Sequence, residues 1–246
     1  MKSISEQLRD KIRLERIFRP EVERIFNSIA RDFRVSVAVT EMPPLIADYK
    51  PLWEVALKNH YRRVQTAFTG AVKQPADDLL LKVFLDWRNR HAPPQAQRII
   101  ETTRVNMNEA LQLAREGTVV TGEVLAAREL AAQSFAILKK KFKSRTQTLI
   151  NTETQAAAET AKFQEAEVNS GVTPGSRQDS STTKKWTTVG DRHVRDIHRE
   201  ANGQIRKLNE PYLVAGEYLM HPGDATLGAS LGNLANCRCI STYKFY

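Results

Sequence analysis

Apolar residues recur at three- and four-residue steps through most of the first two thirds of the chain, the spacing that lines one face of a helix. Leu8, Ile12 and Leu14 lie among charged residues between Ser3 and Arg16. Pro20 then stands where a first helical turn accepts it, and Val22, Ile25, Phe26, Ile29 and Phe33 follow as one stripe. The pattern therefore predicts two short amphipathic helices in succession. Val35, Val37 and Val39 alternate with small residues, which predicts a brief strand cut off by Pro43-Pro44. Pro51 opens a further helix with Trp53, Leu57, Tyr61, Val64 and Phe68 on one face and Gly70 placed to close it. Asp77 and Asp78 give an acidic start to a helix carrying Leu80, Val83, Phe84 and Trp87. Pro93-Pro94 is expected to interrupt it, and Gln95 to Arg115 resumes with Ile99, Ile100, Met107, Leu111 and Ala114 ahead of Gly117. From about Gly122 to Ala166 neither proline nor glycine intervenes, so one long helix, or two joined near Ser144, is predicted. Elements of that length belong to bundles and elongated scaffolds. The Trp, Phe and Met stripes read as core and helix–helix contacts rather than as a cofactor pocket.

The pattern changes at Asn169. Residues 169–184, NSGVTPGSRQDSSTTK, have no helical period and read as a linker or exposed loop. Lys185-Trp186-Thr187-Thr188-Val189 suits a strand, Gly190 a turn, and Asp191 the start of a short helix with Val194, Ile197 and Ala201 on one side and Gly203 as its stop. Pro211 to Met220 reads as extended, His221-Pro222-Gly223-Asp224 as a turn, and Asn236 to Tyr243 as a closing strand. The fold class is α+β: long α-helices over the N-terminal two thirds, then a small C-terminal α+β domain of short strands and one short helix.

A chain of 246 residues with 41% hydrophobic residues has enough apolar material for one or two folded units. Its net charge of +9 favours contact with a polyanion or an acidic protein surface. The excess is spread along the chain, with 10 basic and 7 acidic groups in residues 171–246 and 27 and 21 before them, which argues against one dedicated nucleic-acid arm. One local concentration exists: Lys139, Lys140, Lys141, Lys143 and Arg145. On a helix these spread around most of the circumference and fit a solvated face, or alternatively a contact with DNA phosphates; Phe142 alone makes no stacking platform for single strands. No apolar run approaches a membrane span and the first residues lack a signal peptide's apolar core, so a protein made in the cytoplasm, with no membrane partner, is expected. Cys237 and Cys239 are the only cysteines, which leaves thiols or metal ligands in a reducing compartment.

Several of these pieces form an ordered set. Lys185-Trp186-Thr187, then Asp191, Arg195 and His198, then Gly203, then Gly216 to Pro222-Gly223-Asp224, then Asn236-Cys237-Arg238-Cys239, resembles the C-terminal signature of the Mu F-like phage head morphogenesis family. Upstream, Arg145 to Thr154, with its Thr152-Glu153 step, is similar to a helix of that family, although Asn151 stands where the family often has Arg and the linker before Trp186 is longer. The resemblance covers about residues 144–246. It divides the chain into a helical region 1–143 for portal and assembly contacts and a module 144–246 made of a helix (144–168), a linker (169–184) and a compact α+β unit (185–246). It implies a structural minor head protein of a tailed phage, present in few copies. Such a protein would associate with the portal in the head interior and contact major capsid or scaffold proteins. It would act in head assembly and in the packaging or ejection of DNA, and would reside in the host cytoplasm before assembly.

The residues themselves leave three chemical readings of the tail. Asp191 could cap a helix and pair with Arg195 four residues on, with His198 packed on Trp186, a wholly structural set that needs no cofactor. His198, Cys237 and Cys239 could hold zinc, completed by Asp191, His193 or His221. A small metal-dependent hydrolase would need Asp191 and His198 to converge on a nucleophile or metal-bound water. No phosphate loop, carboxylate pair or serine elbow accompanies them, so the chain is expected not to be an enzyme. A DNA-binding accessory of the virion interior, suggested by the +9 charge, remains as the second class.

Overall fold

The computed structural model describes residues 3–69, 77–121 and 126–246. Four long helices come first: α1 (Ile4–Thr40), α2 (Lys50–Phe68), α3 (Asp77–Thr121) and α4 (Ala127–Asn169). They are followed by β1 (Thr183–Thr188), α5 (Asp196–Glu200), β2 (Ile205–Lys207), β3 (Tyr212–Val214), β4 (Glu217–Leu219), α6 (Leu231–Leu234) and β5 (Cys239–Lys244). This is the α+β class expected, with a second very short helix, α6.

Three prolines sit inside helices that the sequence pattern splits. Pro20 lies within α1, and Pro93 and Pro94 lie within α3. A helix-interior proline costs about 3 kcal/mol. Here the buried neighbours on both sides, Phe18 with Val22 and Ala92 with Ala96, hold the helix continuous. The strand expected at Val35–Val39 is instead the last turns of α1. Val37 continues the buried stripe of Ile29 and Phe33 at four-residue steps, while Val35 and Val39 are exposed. Tertiary packing of that stripe outweighs the β propensity of the valines. Likewise α3 runs past Gly117. Helix ends placed at Gly70 and Gly122 lie outside the described residues.

The chain folds into two compact units, each drawn from separated stretches of sequence rather than from the consecutive regions 1–143 and 144–246. One comprises Ile17–Asn59 and Asn89–Gln147, and the other Met1–Arg16, His60–Arg88 and Thr148–Tyr246.

The first of these, the helical unit, has an apolar core. Phe26 stacks on Phe142 with centroids 4.4 Å apart and meets Trp53 edge-on at 5.0 Å, an arrangement aromatic quadrupoles favour. Phe18, Ile29, Phe33, Met107 and Leu138 are fully buried beside them.

The second, the mixed unit, contains the whole tail. β1 lies between β2 and β5, antiparallel to both, with Trp186 opposite Ser241 and Thr188 opposite Cys239. β3 and β4 form a hairpin, Tyr212 opposite Leu219, where a single extended segment was expected; Ala215 and Gly216, both at positive φ, make its turn. A small core of Trp186, Ala201, Tyr212, Val214, Leu219 and Leu234 closes around the two cysteines. The stretch of α4 from Glu153 to Gln164 is buried on every side. A helix in that position is normally apolar all round. This one carries Glu153, Gln155, Glu159 and Lys162 among alanines.

Candidate functional site

Those polar residues of α4 position the tail. Thr148, Asn151, Thr152 and Gln155 follow at three- and four-residue spacing and so share one face of the helix. Asn151 Nδ2 donates to Asn236 Oδ1 at 3.0 Å, the Asn236 backbone N–H donates to Thr152 Oγ1 at 3.1 Å, and Gln155 Nε2 donates to the Cys239 carbonyl at 2.6 Å. Asn236 sits at φ 52°, a left-handed conformation that asparagine tolerates better than most residues. The bend it makes keeps Cys237 out of β5, which begins only at Cys239. Both sulfurs turn to the same partner.

That partner is His198, on α5. Its Nδ1 lies 3.4 Å from Cys239 Sγ and 3.7 Å from Cys237 Sγ. Its Nε2 lies 3.1 Å from Asn233 Oδ1. The Asn233 amide nitrogen donates to the Val214 carbonyl and to Glu217 Oε2, which leaves Oδ1 as the acceptor toward the imidazole. Nε2 must then carry the proton, and Nδ1 presents its lone pair to the sulfurs. The Trp186 ring meets the imidazole edge-on at 5.7 Å. All three side chains are buried. The two thiols are inequivalent: the Cys239 thiol and His198 draw the Cys237 pKa down against its burial, while the Cys237 sulfur and burial push that of Cys239 up.

His198, Cys237 and Cys239 form the one group of three metal-ligating side chains found among the described residues, their ligand atoms all within 4.8 Å of one another. The expected completing ligands are elsewhere. His193 is exposed, and His221 is directed to Thr160 Oγ1 and the Pro222 carbonyl. Asp191 accepts from Arg238 and caps the His193 N–H at 3.0 Å. Burial alone would raise its carboxyl, but these contacts together hold it below the ordinary range. The expected Asp191–Arg195 pair is not what the fold uses. Helix α5 starts later, at Asp196 with Arg195 as its N-cap, and the Arg195 guanidinium donates to the Ala235 carbonyl.

The remaining signature residues have structural positions. Gly203, at φ 86°, returns its N–H to the Trp186 carbonyl. Asp224 closes its turn by accepting the N–H groups of Met220 and Thr226, both at 2.8 Å. Pro222 is buried in that turn. Glu153 accepts the Tyr61 hydroxyl and Thr152 accepts the Asn236 N–H.

In the helical unit the basic cluster separates. Arg145 turns inward over the Phe26 ring, donates to Thr103 Oγ1 at 2.6 Å and to the Ile99 carbonyl at 2.8 Å, and is drawn down to about 10 by burial. Its guanidinium is thus engaged within the core of the helical unit. Lys141 pairs with Glu109 and Lys139 with Asn27, and Lys139, Lys140 and Lys143 are exposed.

Sequence reasoning missed Gln155, Glu159, Lys162 and Asn233. Glu159 is the centre of a buried network: it accepts Lys162 Nζ at 2.8 Å, Lys11 Nζ at 3.3 Å and the Ser241 N–H at 2.9 Å. Burial alone would raise its carboxyl, but the two lysines and the N–H outweigh that and lower it. Polar residues at helical spacing inside an alanine run were the available signal.

The match that decides the family spans both the long helix and the tail. The model of the phage Mu protein F-like family covers residues 118–242. The chain belongs to this family. Membership in the Mu F-like family places it among phage head proteins, and the matched region begins well upstream of residue 144, so the whole of α4 is part of the family's unit. No curated protein and no solved structure matches the chain.

Proposed function

We propose that this Mu F-like protein is a structural minor head component of a tailed phage, held in few copies at the portal inside the head, where it acts in head assembly and in the passage of DNA. The observation that carries the reading is the family match across 118–242. Two features support a structural over an enzymatic role. Asp191, Arg195 and His198 are each engaged in pairing, capping or packing, and the thiol–imidazole group is buried away from any substrate. In the helical unit, Val35, Val39, Met42 and Leu45 are exposed apolar side chains close in sequence, the composition of a surface that another protein covers. Among the described residues no helix is long and apolar enough to cross a membrane.

The test is a phage carrying a stop codon early in this reading frame. Purified wild-type heads are expected to contain the chain at a small fraction of the major capsid protein, protected from added protease, and a tagged chain is expected to retain portal protein through purification. Mutant heads should keep shell and portal but lose infectivity. A chain absent from wild-type heads overturns the proposal.

The +9 charge favours a second reading, direct contact with packaged DNA. Arg145 is engaged by Thr103 and Ile99, which leaves Lys139, Lys140 and Lys143 as the exposed members of the cluster. Affinity for duplex DNA that falls steeply with added salt supports this reading, and a flat response removes it.

A further inference from the structure

We propose that His198, Cys237 and Cys239 bind one thiophilic metal ion, zinc, as a structural centre that pins α5 to the start of β5. The proposal stands on geometry and does not depend on the head-protein reading.

Two thiols converge on a single imidazole lone pair. One S–H can use that lone pair, so a hydrogen bond to the ring does not account for both sulfurs facing it. A metal ion does, because each of the three atoms then donates an electron pair to a common centre. The distances fit. With Zn–S of about 2.3 Å and Zn–N of about 2.0–2.1 Å, a tetrahedral centre sets its S···N edges at roughly 3.5–3.6 Å. The observed separations, 3.4 and 3.7 Å, bracket that value. Two sulfurs and one nitrogen are also a soft donor set, suited to zinc and unsuited to magnesium or calcium.

The surroundings are those of a ligand held in one orientation. Metal-binding imidazoles usually donate their second N–H to an oxygen that fixes tautomer and ring plane. Here Asn233 Oδ1 takes that part, and Asn233 is itself fixed by Val214 and Glu217. The Trp186 indole N–H is buried with no hydrogen-bond partner among the described residues. Metal binding releases the two thiol protons to solvent and leaves both sulfurs as thiolates. Asp191, His193 and His221 are directed elsewhere, so His198, Cys237 and Cys239 are the ligands this unit supplies.

The experiment uses the full chain, purified without chelator from zinc-supplemented cells, with elemental analysis followed by replacement of zinc by Co(II). The expected result is about one zinc per chain and, after replacement, the intense ligand-field and sulfur-to-cobalt charge-transfer bands of a tetrahedral thiolate site. Cys237→Ser and Cys239→Ser should each weaken the charge-transfer band. Asn233→Ala, which touches no metal, should lower zinc affinity by about 10–100-fold in competition with a chromophoric chelator. If the cysteine variants do not fold, the wild-type cobalt spectrum still decides. A folded wild-type chain that carries no stoichiometric metal and shows no cobalt–thiolate band, whether its cysteines titrate as two free thiols or prove to be a disulfide, overturns the proposal.

Discussion

In the helical unit the long helices meet through Phe26, Trp53 and Phe142; in the mixed unit further turns of the same helices meet the tail through Glu159, Lys11, Lys162 and Gln155. The apolar contacts are non-directional, and their strength scales with area removed from water. The buried polar contacts are directional, and each member that loses its partner keeps the full cost of desolvation. One region therefore tolerates exchange of shape for shape, while the other specifies which strand docks where. Ser241 on β5 is held by the carboxylate of Glu159 at its N–H and by Lys162 at its carbonyl, an arrangement that fixes β5 against α4 in one register.

The largest effect expected from breaking this contrast comes at Glu159. Glu159→Gln leaves Lys11 and Lys162 buried without a counter-charge and should cost about 3–5 kcal/mol in urea unfolding. Replacing all three together, Lys11→Met, Glu159→Leu and Lys162→Met, should recover part of that loss, since an apolar set removes the unpaired charges. The remainder is the Ser241 N–H left without its acceptor. Equal losses in the single and triple variants would show that the network does not act as a unit.

Phe26 is the matching site in the helical unit. Phe26→Ala should cost about 3–5 kcal/mol, through lost burial and the cavity left between Trp53 and Phe142. Phe26→Leu should cost less than about 2 kcal/mol, because volume is largely kept. The graded response in one unit, set beside the all-or-none response at Glu159, is the measurable form of the difference.

The same difference explains what was legible in the sequence. The stripe Ile25, Phe26, Ile29, Phe33 announced its helix, and the buried face it named is the one observed. Pro20 and Pro93-Pro94 were misleading because local rules see the missing N–H but not the packing on either side that compensates it. Of the candidate site, His198, Cys237 and Cys239 could be named from residue type alone. Their meeting could be named only on condition that the last strand lies beside the short helix; what brings it about, the left-handed turn at Asn236 and the contacts of Thr152 and Gln155 across more than 80 positions of sequence, leaves no local pattern. Glu159 and Lys162 were hidden for another reason: in an alanine-rich helix, charges read as a solvated face until the tail is seen to cover them.

A third expected effect is a dependence on pH confined to the mixed unit. Burial draws Lys184 down to about 7, against the opposing pull of Asp224, and draws Lys162 down to about 8, against that of Glu159. An unfolded chain holds lysine near 10.4, so between these values it binds more protons than the folded protein does. Unfolding free energy therefore rises as pH climbs from about 7 toward 10. Glu167 has the opposite sign: burial raises it to about 7, so the folded state holds the extra proton below that, and stability falls as pH rises from about 4.5 to 7. Melting temperature should pass through a shallow minimum near neutrality. In Lys184→Met the alkaline rise should flatten, with Lys162 supplying what remains; an unchanged rise would place the proton uptake elsewhere.

The smallest effect tests how closely the tail is fitted to α4. Gly223 has φ 81°, a region that costs a side chain roughly 1–2 kcal/mol, and a Cβ there would stand 3.3 Å from Gln155 Cγ and 3.5 Å from the Ala156 backbone. The flexible Gln155 side chain can yield by a few tenths of an ångström, but its amide holds the Cys239 carbonyl. Gly223→Ala should therefore cost about 1–3 kcal/mol and, beyond the backbone strain, loosen β5. Gly203 separates the two effects, since its φ of 86° is alike and a methyl added at that position would meet nothing within 4 Å. Gly203→Ala should show the strain alone. Hydrogen exchange at the Cys239 and Ser241 amides should quicken in Gly223→Ala and stay slow in Gly203→Ala, and equal exchange in both would mean that the turn at Gly223 does not hold the strand.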